Sequence, residues 1–382
     1  NGSQPIWNED RTIVVVMNGE IYNAPELTLE LKQAGHRFTT DTDTEVLIHA
    51  YEEFGMGFLE RLNGMFAFAL YDIARTQVIV ARDRFGMKPL YLLQSATTSG
   101  DLIFASELNA LKKADGFDPS HSPEGISTYL GSMYISEPFT AYRDIRALEP
   151  GCALICTSSG QRLHRYFDMS FNPDRSRASE TQAVEAVADV LPRAVKRHLM
   201  ADRPVGTLLS GGLDSRAVAA AAWAQGGTGR AFTVGYDNPE FDESGQAAKW
   251  ANAMGREHHI LRLSEQQFAQ TVPGRAKGHG QPYAVWVNSA SEALAKDIHS
   301  QGYKAVLTGE GGDELFCGYP TVHAANIARY YRYLPNPVRS LVAKATDMLP
   351  AGTSRLPLSF MAQSFAKSVT GDLLRSFYGF KE

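Results

Sequence analysis

The stretch Ser210-Gly211-Gly212-Leu213-Asp214-Ser215 holds the residue types best suited to chemistry. A Ser/Gly loop between an apolar run and a helix turns several backbone N–H groups toward one point. The helix dipole adds to them, so that point favours an anion. Gly211 and Gly212 permit positive φ and close approach of backbone to a ligand, and the serine hydroxyls supply further donors. Asp214 would repel a phosphate unless Mg²⁺ bridged the two, so the set predicts a metal–nucleotide complex. The loop lacks the Gly-Lys-Ser/Thr ending of a Walker A motif, which argues against ordinary γ-phosphoryl transfer. A second carboxylate, Asp313, lies in Leu307-Thr308-Gly309-Glu310-Gly311-Gly312-Asp313-Glu314-Leu315-Phe316. Shared sheet topology would bring Asp214 and Asp313 to one Mg²⁺ or to a pair. The alternative for Asp313 is an N-cap on a helix beginning at Glu314, and the two readings can coexist.

These loops need a scaffold. Val205 to Leu209 is an apolar run that reads as a buried parallel strand, and the Ala-rich stretch Arg216 to Gln225 reads as a helix. Further strands are expected at Ala231 to Val234 and Lys304 to Leu307, with helix-like segments between them. That alternation is the βαβ signature of a doubly wound parallel sheet, whose ligand loops lie at the strand C-terminal ends. Ser179 with Gln182 forms a capping box opening a helix toward Leu199, which Pro192 should kink or split.

Residues 12 to about 168 read differently. Ile13 to Met17 is a buried strand, and Ala24 to Gly35 and Asp43 to Phe54 are helical. Met65–Tyr71 and Gln77–Ala81 form a hairpin around Asp72 to Thr76. Strands follow at Pro89–Leu93 and Leu102–Ala105, then a hairpin of Cys152–Thr157 with Arg162–Phe167. Many strands with short connections suit an antiparallel layered α+β domain. The polar stretch 169–178, with Pro173, reads as a linker between domains 1–168 and 179–382.

Composition narrows the class. The 382 residues are long enough for two cores, and 44% hydrophobic with 21% charged residues is ordinary for a globular protein. A net charge of -5 leaves no footprint for nucleic acid or an anionic membrane. No apolar run reaches the roughly 20 residues of a membrane span. Three cysteines are too few for a disulfide framework and fit a cytoplasmic protein, with Cys152 and Cys156 read as core residues.

Near the other end, Asn18-Gly19-Glu20 follows a strand and precedes Ile21-Tyr22-Asn23, and Asp43 stands in Thr42-Asp43-Thr44-Glu45. From residue type alone Asn18-Gly19 reads as a hairpin turn. Asp41 to Glu45 mimics the start of a calcium loop, but Val46 stands where its glycine should be, which rejects that reading.

With the hexapeptide and the Leu307–Phe316 segment, the Asn18 segment resembles the glutamine-hydrolysing asparagine synthetase family over essentially the whole chain. The resemblance implies a class II glutamine amidotransferase domain, an incomplete antiparallel sandwich of the N-terminal-nucleophile type, followed by an α/β ATP pyrophosphatase domain. It implies that Asn18 and the Gly19 N–H form an oxyanion hole, that Glu20 helps hold glutamine, and that Asp43 pairs with its α-amino group. On the nucleotide side it implies roles for Leu209, Ser210, Gly211, Gly212, Asp214 and Ser215, with Val234 offering backbone to adenine. Thr308 and Gly309 then contact the nucleotide, Glu310 supports acyl-adenylate formation, and Asp214 with Asp313 hold Mg²⁺.

The implied reaction takes ATP, aspartate and glutamine or ammonia to asparagine, and the resemblance is compatible with a homodimer. Family members that act on a peptide, sugar or β-lactam precursor are the rival, and Gly280-Gln281-Pro282-Tyr283 leaves room for it where many relatives have an acidic residue before proline. A non-catalytic relative is the rival from another class; retention of Asp214, Glu310 and Asp313 argues against it. Arg82-Asp83-Arg84 also looks family-like, its charges open to a role in structure, the domain interface or the glutamine site, with structure favoured. Class II members use an N-terminal cysteine, whereas Asn1 holds that place here and Cys152, Cys156 and Cys317 lie in unmatched contexts. Asn1 to Pro5 resembles interior sequence and Tyr378 to Glu382 has no obvious stop, so the chain reads as truncated at both ends.

Overall fold

Alternating apolar residues in the first third of the chain build a sheet buried on both faces. The structure is a computed structural model and describes residues 2–94, 102–170, 179–284, 288–350 and 358–369. Most of the expected linker, the first residue and the last residues from Tyr378 lie outside them. The described residues up to Ala188, with Ala269–Glu292, form one unit, and Asp189–Phe268 with the described residues from Ala293 onward form a second.

In the first unit a short edge strand β1 (Ile6–Trp7) pairs with β2 (Ile13–Ile21). Helices α1 (Ala24–Gln33), α2 (Asp43–Phe54) and α3 (Phe58–Arg61) follow, then β3 (Gly64–Asp72) and β4 (Gln77–Arg82). Next come β5 (Tyr91–Gln94), β6 (Leu102–Ala105), α4 (Leu108–Leu111), α5 (Pro123–Ser132), β7 (Ile145–Ala147), β8 (Cys152–Thr157) and β9 (Gly160–Arg165). Six strands order as β1-β2-β3-β4-β8-β9, all antiparallel, and three as β6-β5-β7. One face of the larger sheet packs Val15, Phe66, Phe68 and Leu70 against Leu31, Leu47, Ile48 and Phe58 of the helices. Its other face packs Ala67, Val80 and Leu154 against Leu92 of the smaller sheet. Leu93 and Ile145 then meet Leu108 and Leu111 on the far side. The result is an antiparallel layered fold of the N-terminal-nucleophile type.

The second unit is doubly wound. Helix α6 (Glu180–His198) enters it and carries the expected capping box, Ser179 N–H to Gln182 Oε1 at 2.9 Å and Gln182 N–H to Ser179 Oγ at 3.2 Å. It runs as one element through Pro192, so of the two expected outcomes the split does not occur. Then come β10 (Gly206–Leu208), α7 (Leu213–Ala224), β11 (Ala231–Tyr236), α8 (Ser244–Ala253) and β12 (His258–Leu263). Helices α9 (Glu265–Gly278), which from Ala269 belongs to the first unit, and α10 (Asn288–Ser300), which joins the second unit at Ala293, lead to β13 (Val306–Leu307), α11 (Gly312–Phe316), α12 (Pro320–Tyr331), α13 (Asn336–Asp347) and α14 (Leu358–Ser368). The strand order is β12-β11-β10-β13, all parallel. Leu209 and Ala231 pack against Ala219, Trp223, Ala247 and Ala251, and Phe232 packs against Leu294 and Ile298 on the opposite face. None of the described helices is long and apolar enough to cross a membrane.

Two boundaries moved. Asn18-Gly19 is no turn; it lies inside β2, opposite Ala67 and Phe66 of β3. The last hairpin turns on Ser158–Ser159 alone, and its return strand ends at Arg165. Tyr166 leaves the ladder to donate its hydroxyl to Arg82 O at 2.6 Å.

An ionic cluster around one buried histidine fastens α2. His49, fully buried, places Nδ1 2.8 Å from Glu52 Oε2, and His36 Nδ1 lies 3.4 Å from the same oxygen. Asn8 Nδ2 donates to Glu52 Oε1 at 2.8 Å. Burial works against the charged form of His49, but Glu52, Glu9 and Glu45 outweigh it and hold its pKa above the ordinary 6.5. Burial likewise opposes ionisation of Glu52, and its bonds to His49 and Asn8 leave it below 4.5. The His49 contribution is complete below its unfolded value and lost as pH rises through its higher folded value. The Glu52 contribution is present above its unfolded value and lost as pH falls through its lower folded value. The first unit should therefore gain most from this cluster between about pH 4.5 and 6.5. Urea midpoints measured across pH should fall on the alkaline side, and His49→Asn should flatten that limb.

Candidate active site

The anion loop lies where the physics of strand and helix ends would put it. β10 stops at Leu208, and α7 begins at Leu213 with Gly212 as its N-cap, so Ser210–Gly212 crosses a helix N-terminus. Hydroxyls hold the loop in shape. Ser210 N–H donates to Ser215 Oγ at 3.1 Å, Gly212 N–H donates to Ser210 Oγ at 3.1 Å, and the two hydroxyl oxygens are 2.8 Å apart. Gly211 N–H donates to the Glu243 carboxylate at 3.1 Å, so this donor already faces a negative oxygen. Arg216 donates Nε–H to Gly212 O at 2.9 Å and stacks on Trp250 at 4.4 Å.

The second loop meets the first because β10 and β13 are neighbours, pairing Gly206 with Val306 and Thr207 with Leu307. β11 and β12 lie on the other side of β10, so the strand order reverses between β10 and β13, where open α/β sheets bind ligands. Gly309 packs on the Asp214–Ser215 backbone, and a Cβ there would come 2.5 Å from Ser215 N. A Cβ on Gly312 would come 2.4 Å from the Asp214 carboxyl. The Asp214 carboxylate therefore sits in a space that glycine leaves open on the Gly309–Asp313 loop. Two hard carboxylates, Asp214 and Asp313, on adjoining loops are a donor set that suits Mg²⁺.

Asp313 is not an N-cap. The helix begins at Gly312 with Gly311 as its cap, and the Asp313 carboxyl packs where a Gly318 side chain would stand. Glu310 is exposed, with its N–H on Thr308 Oγ1 at 3.3 Å. Tyr319 donates to Glu314 Oε1 at 2.7 Å; that bond, burial and the charges of Glu314, Asp313 and Glu310 push its phenol up to about 12.

Leu209 and Val234 flank the loop. Leu209 is buried and both its backbone groups are engaged: its N–H donates to Phe232 O at 2.9 Å, and its carbonyl accepts Thr233 Oγ1 at 2.5 Å. Thr233 has one hydroxyl proton, so His258 Nε2, 2.8 Å away, must donate to it. Burial lowers the His258 pKa, which suits that neutral tautomer. Val234 lies past the end of β10, where β11 runs on to Tyr236 paired only with β12 on its far side.

The first unit has its own cluster. Asn18, Gly19 and Glu20 occupy the end of β2, beyond the reach of β1, whose pairing stops at Val15. Gln4 caps the intervening edge, accepting Met17 N–H at 2.6 Å and donating to Met17 O at 2.9 Å. A Cβ on Gly19 would come 2.1 Å from Met65 O, so glycine is required by the approach of two strands. Asp43, the first residue of α2, accepts Ile21 N–H at 2.7 Å, which brings its carboxylate to the Asn18–Glu20 segment. Ser106, assigned no chemistry from sequence, lies 3.4 Å from Asn18 Nδ2. Ala105-Ser106-Glu107 looks family-like in sequence, but the contact itself is hidden there, since 88 residues separate the two.

Charges in the neighbouring loop are spent on structure. Asp83, fully buried, accepts N–H groups of Phe66, Phe85, Met87 and Lys88. Arg82 bonds Glu137, Leu148 O, Gly86 O and Lys88 O. Gln281, which left room for a different acceptor, uses its side-chain oxygen on Ala141 N–H at 3.1 Å.

Two families match. The glutamine amidotransferase domain covers residues 1–167, and asparagine synthase covers residues 186–377. Over 353 residues the chain is 31% identical to a glutamine-hydrolyzing asparagine synthetase of Bacillus subtilis, covering 92% of this chain and 55% of the relative. A glutamine-hydrolyzing asparagine synthetase of Oryza sativa is 33% identical over 351 residues, 85% of this chain and 51% of that one. An amidase of Penicillium rubens is 32% identical over 343 residues, 85% of this chain and 50% of the relative. The two matches set a glutamine amidotransferase domain ahead of an asparagine synthase domain, and the chain belongs to the asparagine synthase family. It spans about half the length of the curated relatives it matches.

The Gly19 packing gives a direct test. Gly19→Ala must push β2 from β3 and should lower stability by about 1–3 kcal/mol, the usual range for overpacking. Chemical denaturation would read it, and an unchanged midpoint would contradict the 2.1 Å approach.

Proposed function

We propose that the protein is a glutamine-dependent asparagine synthase. Its second domain activates the side-chain carboxylate of L-aspartate with ATP, and ammonia then displaces AMP to give asparagine. In the first step a carboxylate oxygen attacks the α-phosphorus and pyrophosphate leaves. In the second, nitrogen adds to the acyl carbon, AMP departs and a proton is released. The supporting observation is the convergence of the Ser210–Ser215 and Thr308–Asp313 loops at the reversal of strand order, with the Asp214 carboxyl against Gly312.

In this reading the loop N–H groups and the Ser210 and Ser215 hydroxyls bind phosphate oxygens, and Glu243 yields Gly211 N–H to them. Asp214 and Asp313 would hold Mg²⁺, which when bound neutralises charge on the departing pyrophosphate. Thr308 and Gly309 line the nucleotide beside Leu209 and Val234, and Glu310 orients the reacting carboxylate and nucleotide for adenylate formation. In the amidotransferase half, Asn18 Nδ2 and Gly19 N–H are the donors for a tetrahedral oxyanion, while Glu20 and Asp43 hold glutamine's polar groups. We assign the halves to residues 1–168 and 179–382, joined by 169–178.

A second reading keeps the adenylation and changes the acceptor. It is favoured by the Penicillium relative, named an amidase, at 32% identity.

The test is pyrophosphate release by the full-length protein with Mg-ATP and ammonium, with and without L-aspartate. Aspartate-dependent release with asparagine formed is expected. Asp214→Ala should lower that rate by about a hundredfold or more, the scale of losing a key electrostatic group. Release indifferent to aspartate would move the assignment to another carboxylate.

A further inference from the structure

We infer that Glu45 is a positioning residue for the glutamine site, setting through Thr39 and Thr40 where the Asp43 carboxylate stands. The inference rests on the proposed glutamine role of Asp43. Helix α2 begins at Asp43 with Thr42 as N-cap, and Thr42 makes no side-chain cap. A glutamate three residues after a threonine N-cap ordinarily reaches back to the cap's own N–H. Glu45 instead reaches further back. Its Oε1 accepts Thr39 N–H at 2.8 Å and the Thr39 hydroxyl at 2.9 Å. Its Oε2 accepts Thr40 N–H at 2.7 Å and the Thr40 hydroxyl at 2.5 Å.

These four donors use all the acceptor capacity of a side chain that is 1% exposed. The Thr40 hydroxyl lies 3.3 Å from that of Thr42 and accepts Thr42 N–H at 3.4 Å, so the clamp extends to the residue before Asp43. At the other end Asp43 accepts Ile21 N–H at 2.7 Å, next to Glu20. Residues 39 to 43 are thus tied to the helix on one side and to the end of β2 on the other. A carboxylate fixed before its ligand arrives loses less freedom on binding, so the clamp works on affinity. Burial opposes ionisation of Glu45, but the bonds from Thr40 and Thr39 outweigh it and keep its carboxyl below the ordinary range.

Glu45→Gln retains one acceptor oxygen and halves the clamp; Thr39→Val with Thr40→Val removes the two hydroxyls and leaves the N–H donors. In the full-length protein each variant should raise KM for glutamine about tenfold or more, with kcat at saturating glutamine and ammonium-dependent turnover each within about twofold. Loss of binding shared by ground and transition states moves KM alone, whereas general damage to the fold would move all three. The second arm needs no substrate: amide hydrogen exchange of the chain itself. Protection at Ile21, whose N–H is held by Asp43, should drop in Glu45→Gln together with protection at Thr39 and Thr40. Unchanged Ile21 protection overturns the inference whatever the enzyme's activity. An unchanged KM in a variant of an active glutaminase overturns it too, while a wild type that leaves glutamine intact counts against the proposed function alone.

Discussion

One short parallel pairing governs the second unit of the molecule. Gly206 and Thr207 lie beside Val306 and Leu307, although about a hundred residues of βαβ winding separate them. Because the strands are parallel and adjacent, both chains leave the sheet at the same end. Their next residues, Leu209–Ser215 and Thr308–Asp313, have to share one small volume. Glycines at 309 and 312 are the consequence, since a side chain at either would overlap Asp214 or Ser215. The motif reads as glycine-rich in sequence because the topology leaves no room for anything larger.

The amidotransferase half solves a different problem. An antiparallel sheet leaves edge groups unpaired, and β2 is covered by β1 only as far as Val15. Gln4 imitates a strand at Met17, and beyond it the edge belongs to Asn18 and Gly19. The segment proposed to stabilise an oxyanion is therefore the end of a strand whose pairing has run out on one side. On the other side β3 approaches so closely that only glycine fits at 19. The same residue serves packing and leaves backbone available, which is why residue type alone pointed to a turn.

Local patterns exposed in the sequence what local physics decides. The Ser179–Gln182 capping box, the two helices after β2, the β3–β4 hairpin and the Ser/Gly loop all follow from residues a few positions apart. What stayed hidden depended on distance. β12 was not anticipated, because His258–Leu263 mixes two histidines and an arginine into a run that becomes a strand only by pairing with β11. Ser106 reaches Asn18 across 88 residues, and Asp43 reaches Ile21 across 22. Arg82 and Asp83 behave as the sequence reading favoured: their charges satisfy buried backbone groups. The Asp214 neighbourhood was legible as loops and carboxylates, while the Gly312 space that seats it was not.

The anion loop arrives with its donors already in use. Ser210 and Gly212 N–H groups face hydroxyls, and Gly211 N–H faces the Glu243 carboxylate. The loop is open to solvent, with Gly212 exposed, so these partners take the place of water and hold the loop in shape before a ligand comes. Neutral hydroxyls are weak stand-ins, and a phosphate oxygen makes the stronger charge-assisted bond in exchange. Glu243 is a stronger competitor, since it carries the same sign as a phosphate and takes the same N–H. In the proposed role, anion affinity at this loop would be the difference between two negative acceptors at Gly211, not the full strength of either. A loop built this way keeps its shape before the ligand arrives, at the cost of some affinity, and it favours ligands whose charge exceeds that of one carboxylate. A polyphosphate meets that condition, and a simple carboxylate does not.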